Sequence, residues 1–175
     1  MKIVNIFAYR LFVFHYEGEE LNEYDRLLGL WGNIEYLYEF LQQNKQDIPK
    51  GRSLGDIALE ISEDAYLIDS TSMQMIDEVD KSLSQFFKPL RNLESGIKVL
   101  SLQKGRTNCL RMYAIKIDTD TFVITGGAIK LPLQHLMKDR IHTTIEIQKL
   151  YKAKVYLNGE NVFDEDSFFE LLNEK

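Results

Sequence analysis

Cysteine is almost absent from this chain. Cys109 stands alone, so no internal disulfide can form, cystine-stapled folds are excluded, and a reducing, cytoplasmic setting is expected. Cys109 itself reads as a strand residue, because no cysteine-nucleophile pattern surrounds it. Proline occurs three times and glycine ten times, too sparsely for collagen-like repeats or long disordered linkers. No hydrophobic run is long enough to span a bilayer. The N-terminal KIVNIFAYRLFVFHY is apolar, but Asn5 and Arg10 interrupt it, and it has no small-residue cleavage pattern. It reads as a strand, and no membrane association is expected. The three histidines are scattered and show no metal-ligand spacing. The acids Glu60, Glu63, Asp64, Asp69, Asp77, Glu78 and Asp80 read as a solvated helix face, without the spacing of a calcium loop. Gly126-Gly127 lacks the glycine spacing and Lys-Ser/Thr ending of a phosphate loop. Neither a metal nor a cofactor is expected.

What is present fits one domain over residues 1–175. A hydrophobic share of 45% and a charged share of 27% are those of an ordinary globular chain with a core of its own. The net charge of −6 argues against nonspecific nucleic-acid binding by the whole molecule. Its distribution is uneven, however. Residues 98–154 hold 11 Lys and Arg against 4 Asp and Glu, while the segments on either side are acidic. That contrast implies a basic sheet inside an acidic molecule. The plain alternative is that the oppositely charged parts pair with one another.

Periodicity divides the chain into three parts: an N-terminal strand and helices over residues 1–92, a three-stranded meander over 98–131, and C-terminal helices over 132–175. In residues 2–16 both alternating sets are apolar, which predicts one strand covered on both faces. Asn22, Asn33 and Ser53 are placed to cap helices. The helix from Ser53 is expected to break near Ser62, with Ile57, Ile61, Ala65, Leu67, Ile68, Met73, Met75 and Ile76 toward a core. Trp31 reads as a core residue. Turn signals at Gly105–Asn108 and Asp118–Asp120 separate the strands of the stretch Lys98–Leu131. Gly126-Gly127, inside the third of these, marks a bulge, a bend or a close backbone approach. Thr143 or Thr144 caps a further helix, with Ile145, Ile147, Leu150, Tyr151 and Val155 on its apolar side. Asp164 caps the last helix. The predicted fold is therefore α+β: a mostly antiparallel four-stranded sheet with helices packed on it.

Residues two apart on a strand share a face. Lys104 with Arg106 forms one such pair, and Arg111 with Tyr113 forms another on the neighbouring strand. Lys130, two strands over, closes a cationic patch. Such a patch can hold a phosphodiester and stabilise charge developing on it. Cleavage of RNA by attack of its 2′-hydroxyl on the adjacent phosphate then needs a base and an acid. Tyr113, His135 and His142 are the titratable candidates. The plain reading of each histidine is a surface or capping role, and of the cations, exposed strand residues.

The run FFKPLRNL, then KGR, LRMYAIKI, DTFVITGGAIKL and a helix beginning HTTIEIQKL, resembles toxins of the RelE/HigB superfamily over about residues 84–152. The resemblance implies a small RelE-like α+β ribonuclease fold from a bacterial toxin–antitoxin module. It implies metal-independent cleavage of RNA, free or on the ribosome, and neutralisation by a cognate antitoxin. By position, Lys104, Arg106, Arg111, Tyr113 and Lys130 would inherit the site. The chain departs from those toxins in being longer and acidic, with a larger helical segment over residues 22–87 and an acidic tail. A second expectation follows from the acidic surface: a non-enzymatic interaction protein of a mobile element or defence locus, engaging a basic protein partner.

Overall fold

The computed structural model describes residues 1–78, 81–90 and 100–174. Asp80, the Arg91–Leu93 end of FFKPLRNL, and Lys98 and Val99 at the head of the meander lie outside the described residues.

The sheet has six strands, not the four expected. They are β1 (Lys2–Phe7), β2 (Leu11–His15), β3 (Lys88–Pro89), β4 (Ser101–Arg106), β5 (Leu110–Asp118) and β6 (Thr121–Ile129), in the spatial order β1-β2-β6-β5-β4-β3. Every pairing is antiparallel except β2 with β6, where Leu11, Phe12 and Val13 lie opposite Phe122, Val123 and Ile124.

Two strands appear where one was expected because residues 2–16 fold back as a hairpin. Ala8 and Tyr9 both take positive φ, 48° and 56°, and the Arg10 amide donates to the Phe7 carbonyl at 3.0 Å. Two consecutive positive φ angles are the signature of the hairpin turn that suits strand twist, usually made by Asn or Gly. Here the Asn5 side chain supports it by accepting from the Tyr9 amide at 3.1 Å. Tyr9 is exposed, and Arg10 pairs with Asp120 in the β5–β6 turn. An apolar run thus conceals a solvent-facing corner.

Helices cover both faces. On one lie α1 (Glu23–Trp31), α2 (Ile34–Gln43) and α3 (Leu54–Asp77). Their Leu27, Trp31, Leu37, Leu41, Ile57 and Ile61 pack with Leu11, Val13, Met112, Ala114 and Ile124 of the sheet. On the other lie α4 (Ile141–Gly159) and α5 (Glu165–Glu174). There Leu150, Ala153, Leu157 and Phe168 meet Phe12, Phe14, Tyr113, Ile115 and Val123. Burying side chains of this size contributes about 1.5–3 kcal/mol each. Phe12 and Phe168 also meet edge to face, with ring centres 5.0 Å apart.

The predicted caps at Asn22, Asn33, Ser53 and Asp164 each accept an amide of the first turn. Three other helix expectations need correction. First, α3 runs unbroken past Ser62. Ile57, Ile61, Ala65 and Ile68 make one continuous buried stripe, and that packing overrides the weak local preference of serine. Leu67 and Met73 face outward, away from the core. Second, α4 begins at Ile141, before the predicted threonine cap. The Arg140 guanidinium is held by the buried Asp47 carboxylate, and the Thr143 and Thr144 hydroxyls donate back to the Arg140 carbonyl at 3.0 and 2.9 Å. Third, Ile145 and Val155 are exposed.

Gly126-Gly127 is both a bulge and a close approach. The β5–β6 register slips between Tyr113 and Ala114, so Thr125 has no partner across the ladder. A Cβ at Gly127 would stand 2.7 Å from the Arg111 carbonyl oxygen and 2.8 Å from the Trp31 ring. Gly127→Ala should therefore destabilise the fold by about 1–3 kcal/mol, a fall of several degrees in Tm. Gly29→Ala, on the exposed side of α1 with nothing within 4 Å, should instead be neutral or stabilising. Thermal unfolding of the two variants beside the parent checks both.

Candidate functional site

The β4–β5 hairpin assembles the predicted cations. Lys104 lies opposite Tyr113, and Arg106 opposite Arg111. Arg111 and Tyr113 in turn face Ala128 and Gly126. All four side chains therefore belong to the face that carries α4 and α5. Lys130 follows directly on β6, where its amide donates to the Cys109 carbonyl at 2.7 Å. The groups are electrostatically one cluster. Burial lowers the pKa of Lys104, and the charges of Arg111, Arg106 and Lys130 lower it further. None of the four enters an ion pair among the described residues.

Arg111 also has a local duty. Its Nη1 donates to the carbonyls of Thr107, Asn108 and Leu110 at 2.9, 3.3 and 2.8 Å, which clamps the β4–β5 turn. Burial opposes its charge, but a guanidinium stays protonated at any working pH. Arg106 and Arg111 line a recess of about 510 Å³ with Thr107 and Asn108 of the turn. Asp64 and Leu67 of α3 close its far side.

Tyr113 is wholly buried, and its hydroxyl has no partner among the described residues. Burial pushes its pKa up, against the pull of Arg111. It therefore remains a neutral O–H, a donor and not a base. Lys104 has the opposite character: an ammonium with lowered pKa among cations releases its proton more readily.

The structure does not draw the histidines into this cluster. His135 is exposed on the connection between β6 and α4. His142 sits on the other side of α4, its Nε2 3.1 Å from the Ile129 carbonyl and its ring edge-on to Phe40 at 5.0 Å.

Around His142 lies a charged group that sequence reasoning missed. Beyond Ile124 the outer edge of β6 has no strand partner among the described residues, and α1 and α4 meet across it. Glu23, only 1% exposed, receives Arg26 at 2.8 Å and Lys149 at 2.8 Å. Glu146 accepts from the Gly127 amide at 3.1 Å, and both cations stand 3.6 Å from it. Burial raises the Glu146 pKa, and Lys149 opposes the shift. The signal in the sequence was Gly126-Gly127: a Cβ on Gly126 would lie 2.3 Å from the Glu146 carboxylate. With each carboxylate matched to cations, the group is a structural latch, whereas none of the Lys104 cluster's cations enters an ion pair among the described residues.

No group of three or more His, Cys, Asp or Glu among the described residues is placed to hold a metal ion. No helix among them is long and apolar enough to cross a membrane. No family model, curated protein or solved structure matches the chain.

His142 supplies a pH prediction. Burial lowers its pKa in the folded protein, with Arg140 adding to the shift and the Ile129 carbonyl and Asp47 opposing it. The folded state thus binds this proton less well than the unfolded chain does. The stabilisation is present above the ordinary histidine value of about 6.5 and is lost as pH falls through the folded value. Unfolding curves between neutral and mildly acid pH should show a shallower acid-side loss for His142→Gln than for the parent.

Proposed function

We propose that the protein is a metal-independent endoribonuclease of the toxin–antitoxin kind, acting at the basic face of β4 and β5. The observation that carries the reading is the set Lys104, Arg106, Arg111 and Lys130: three cations on one sheet face and a fourth at the end of β6, all within electrostatic reach of Lys104 and outside the ion pairs of the described residues. A phosphodiester is the anion that such a cluster fits, since several donors can share its oxygens.

In this reading Arg106, Arg111 and Lys130 hold the scissile phosphate and stabilise its extra charge as it becomes five-coordinate. Lys104, its pKa lowered, takes the proton of the 2′-hydroxyl. The 2′-oxygen bonds to phosphorus, the bond to the 5′-oxygen breaks, and that oxygen takes up a proton. Water supplies that proton, since the structure leaves both histidines outside the cluster. The products are a 2′,3′-cyclic phosphate and a 5′-hydroxyl. RNA, free or on the ribosome, is the substrate class, and a cognate antitoxin the expected protein partner.

One observation favours a second reading. Helix α3 carries six carboxylates over Leu54–Asp77 and no Lys or Arg. Leu59, Tyr66 and Met73 are exposed along it at seven-residue spacing, with Tyr66 75% exposed. An acidic helix with an apolar ridge suits a basic amphipathic partner, as a non-enzymatic interaction protein would require.

Inducible expression separates the two. The endoribonuclease should arrest growth and fragment cellular RNA. Lys104→Gln and Arg106→Gln should relieve both, each lowering cleavage by about 10²-fold. These two are cleaner than Arg111→Ala, which also unclamps the turn. Unchanged growth and intact RNA with folded protein would sink the ribonuclease reading and leave the binding protein.

A further inference from the structure

We propose that the groove between β3 and the start of α4 is a nucleobase subsite, which receives a base of the RNA strand whose 2′-hydroxyl meets Lys104. The inference builds on the ribonuclease reading and extends it to how the strand is held. Leu102 lies two residues before Lys104, on the same face of β4, so the two side chains leave the sheet about 7 Å apart. Leu90 stands beside Leu102, its amide donating to the Leu102 carbonyl at 2.9 Å. From Leu90 a groove of about 380 Å³ opens toward Leu136, Met137, Ile147 and Tyr151. The cations and the groove are therefore neighbouring stretches of one face, joined through Leu102.

The lining favours a flat ring with a polar edge. Leu136, Met137, Ile147 and Tyr151 supply apolar surface, and Thr144 and Gln148 place hydrogen-bonding groups among them. An alkyl chain would use the apolar surface alone, whereas a nucleobase stacks on it and meets the exposed Gln148 amide with its edge. The rim is also built in advance. Leu136 is 53% exposed, yet its backbone is fixed from both sides. Its amide donates to the Asp139 carboxylate at 2.7 Å, and its carbonyl accepts from the Gln134 side chain at 3.0 Å. The buried Gln134 amide reaches Thr143 of α4 as well, at 2.9 Å. An exposed leucine is thus held at the mouth by hydrogen bonds and not by its own burial. Opposite it stands Tyr151, 38% exposed, a ring on which a base can stack.

The test is fluorescence polarisation with a labelled 2′-O-methyl oligoribonucleotide, which cannot be cleaved by 2′-attack, and an abasic ribose-phosphate strand of the same length. The parent protein should bind the base-bearing strand about tenfold tighter. Tyr151→Ala and Leu136→Ser, both on exposed side chains, should remove that difference and leave the abasic affinity unchanged. Lys104→Gln should weaken both strands. Equal affinity of the parent for the two strands would overturn the subsite while leaving the phosphate cluster standing. So would an equal loss on both strands from Tyr151→Ala. Failure of folded parent to bind either strand would overturn the ribonuclease reading itself.

Discussion

Strand β6 is the constraint on which the rest depends. All nine of its residues, Thr121–Ile129, are buried. A strand so placed must be covered on both faces and paired on both edges, or its backbone groups lose hydrogen bonds that water would have supplied. β5 takes one edge throughout, and β2 takes the first half of the other in parallel. Past Ile124 the second edge has no strand among the described residues, and side chains complete it: Glu146 accepts the Gly127 amide, and His142 meets the Ile129 carbonyl. Both come from α4, so the strand's need for hydrogen bonds fixes that helix over the sheet. Glu23, through Lys149, ties α1 into the same arrangement.

Charges fall into two populations. Most buried or half-buried ones are matched: Arg10 with Asp120, Arg140 with Asp47, and Arg26 and Lys149 with Glu23 and Glu146. Each pair joins elements distant in sequence or secures a helix end. Such pairs are weak as sources of net stability but costly to break from one side, because a buried charge is left alone. The cations on β4, β5 and β6 follow a different rule. Burial lowers the pKa of Lys104 and the crowded cations lower it further, an arrangement that works against the folded state. Cost of this kind, concentrated at one place on a rigid sheet, marks a binding or reacting site more often than a structural one.

The position of that cluster also orders the surface around it. One side leads along β4 from Lys104 to Leu102 and the apolar groove under α4. The other turns round the β4–β5 hairpin to Asp64 and Leu67 of α3. The cations thus lie between an apolar groove and an acidic helix. A strand of RNA would follow the first direction, away from the carboxylates, and a basic protein partner would seek the second.

Local features were legible in the sequence for local reasons. The caps at Asn22, Asn33, Ser53 and Asp164 were readable because each side chain bonds an amide within its own first turn. The meander was readable because its turn residues and alternating strands are contiguous, and alternation alone put Lys104 with Arg106 and Arg111 with Tyr113. What escaped depends on partners far along the chain. The Ala8–Tyr9 corner uses positive φ without glycine, so composition gave no sign of it. The start of α4 is set by Arg140 reaching Asp47, and the Glu23–Glu146 latch joins residues more than a hundred positions apart. Sequence alone determined which residues share a strand face or a helix turn, since backbone geometry fixes those relations within a few residues. Tertiary structure decided which faces meet, which charges are matched and which stay outside ion pairs, because burial and Coulomb energy depend on distance in space and not along the chain.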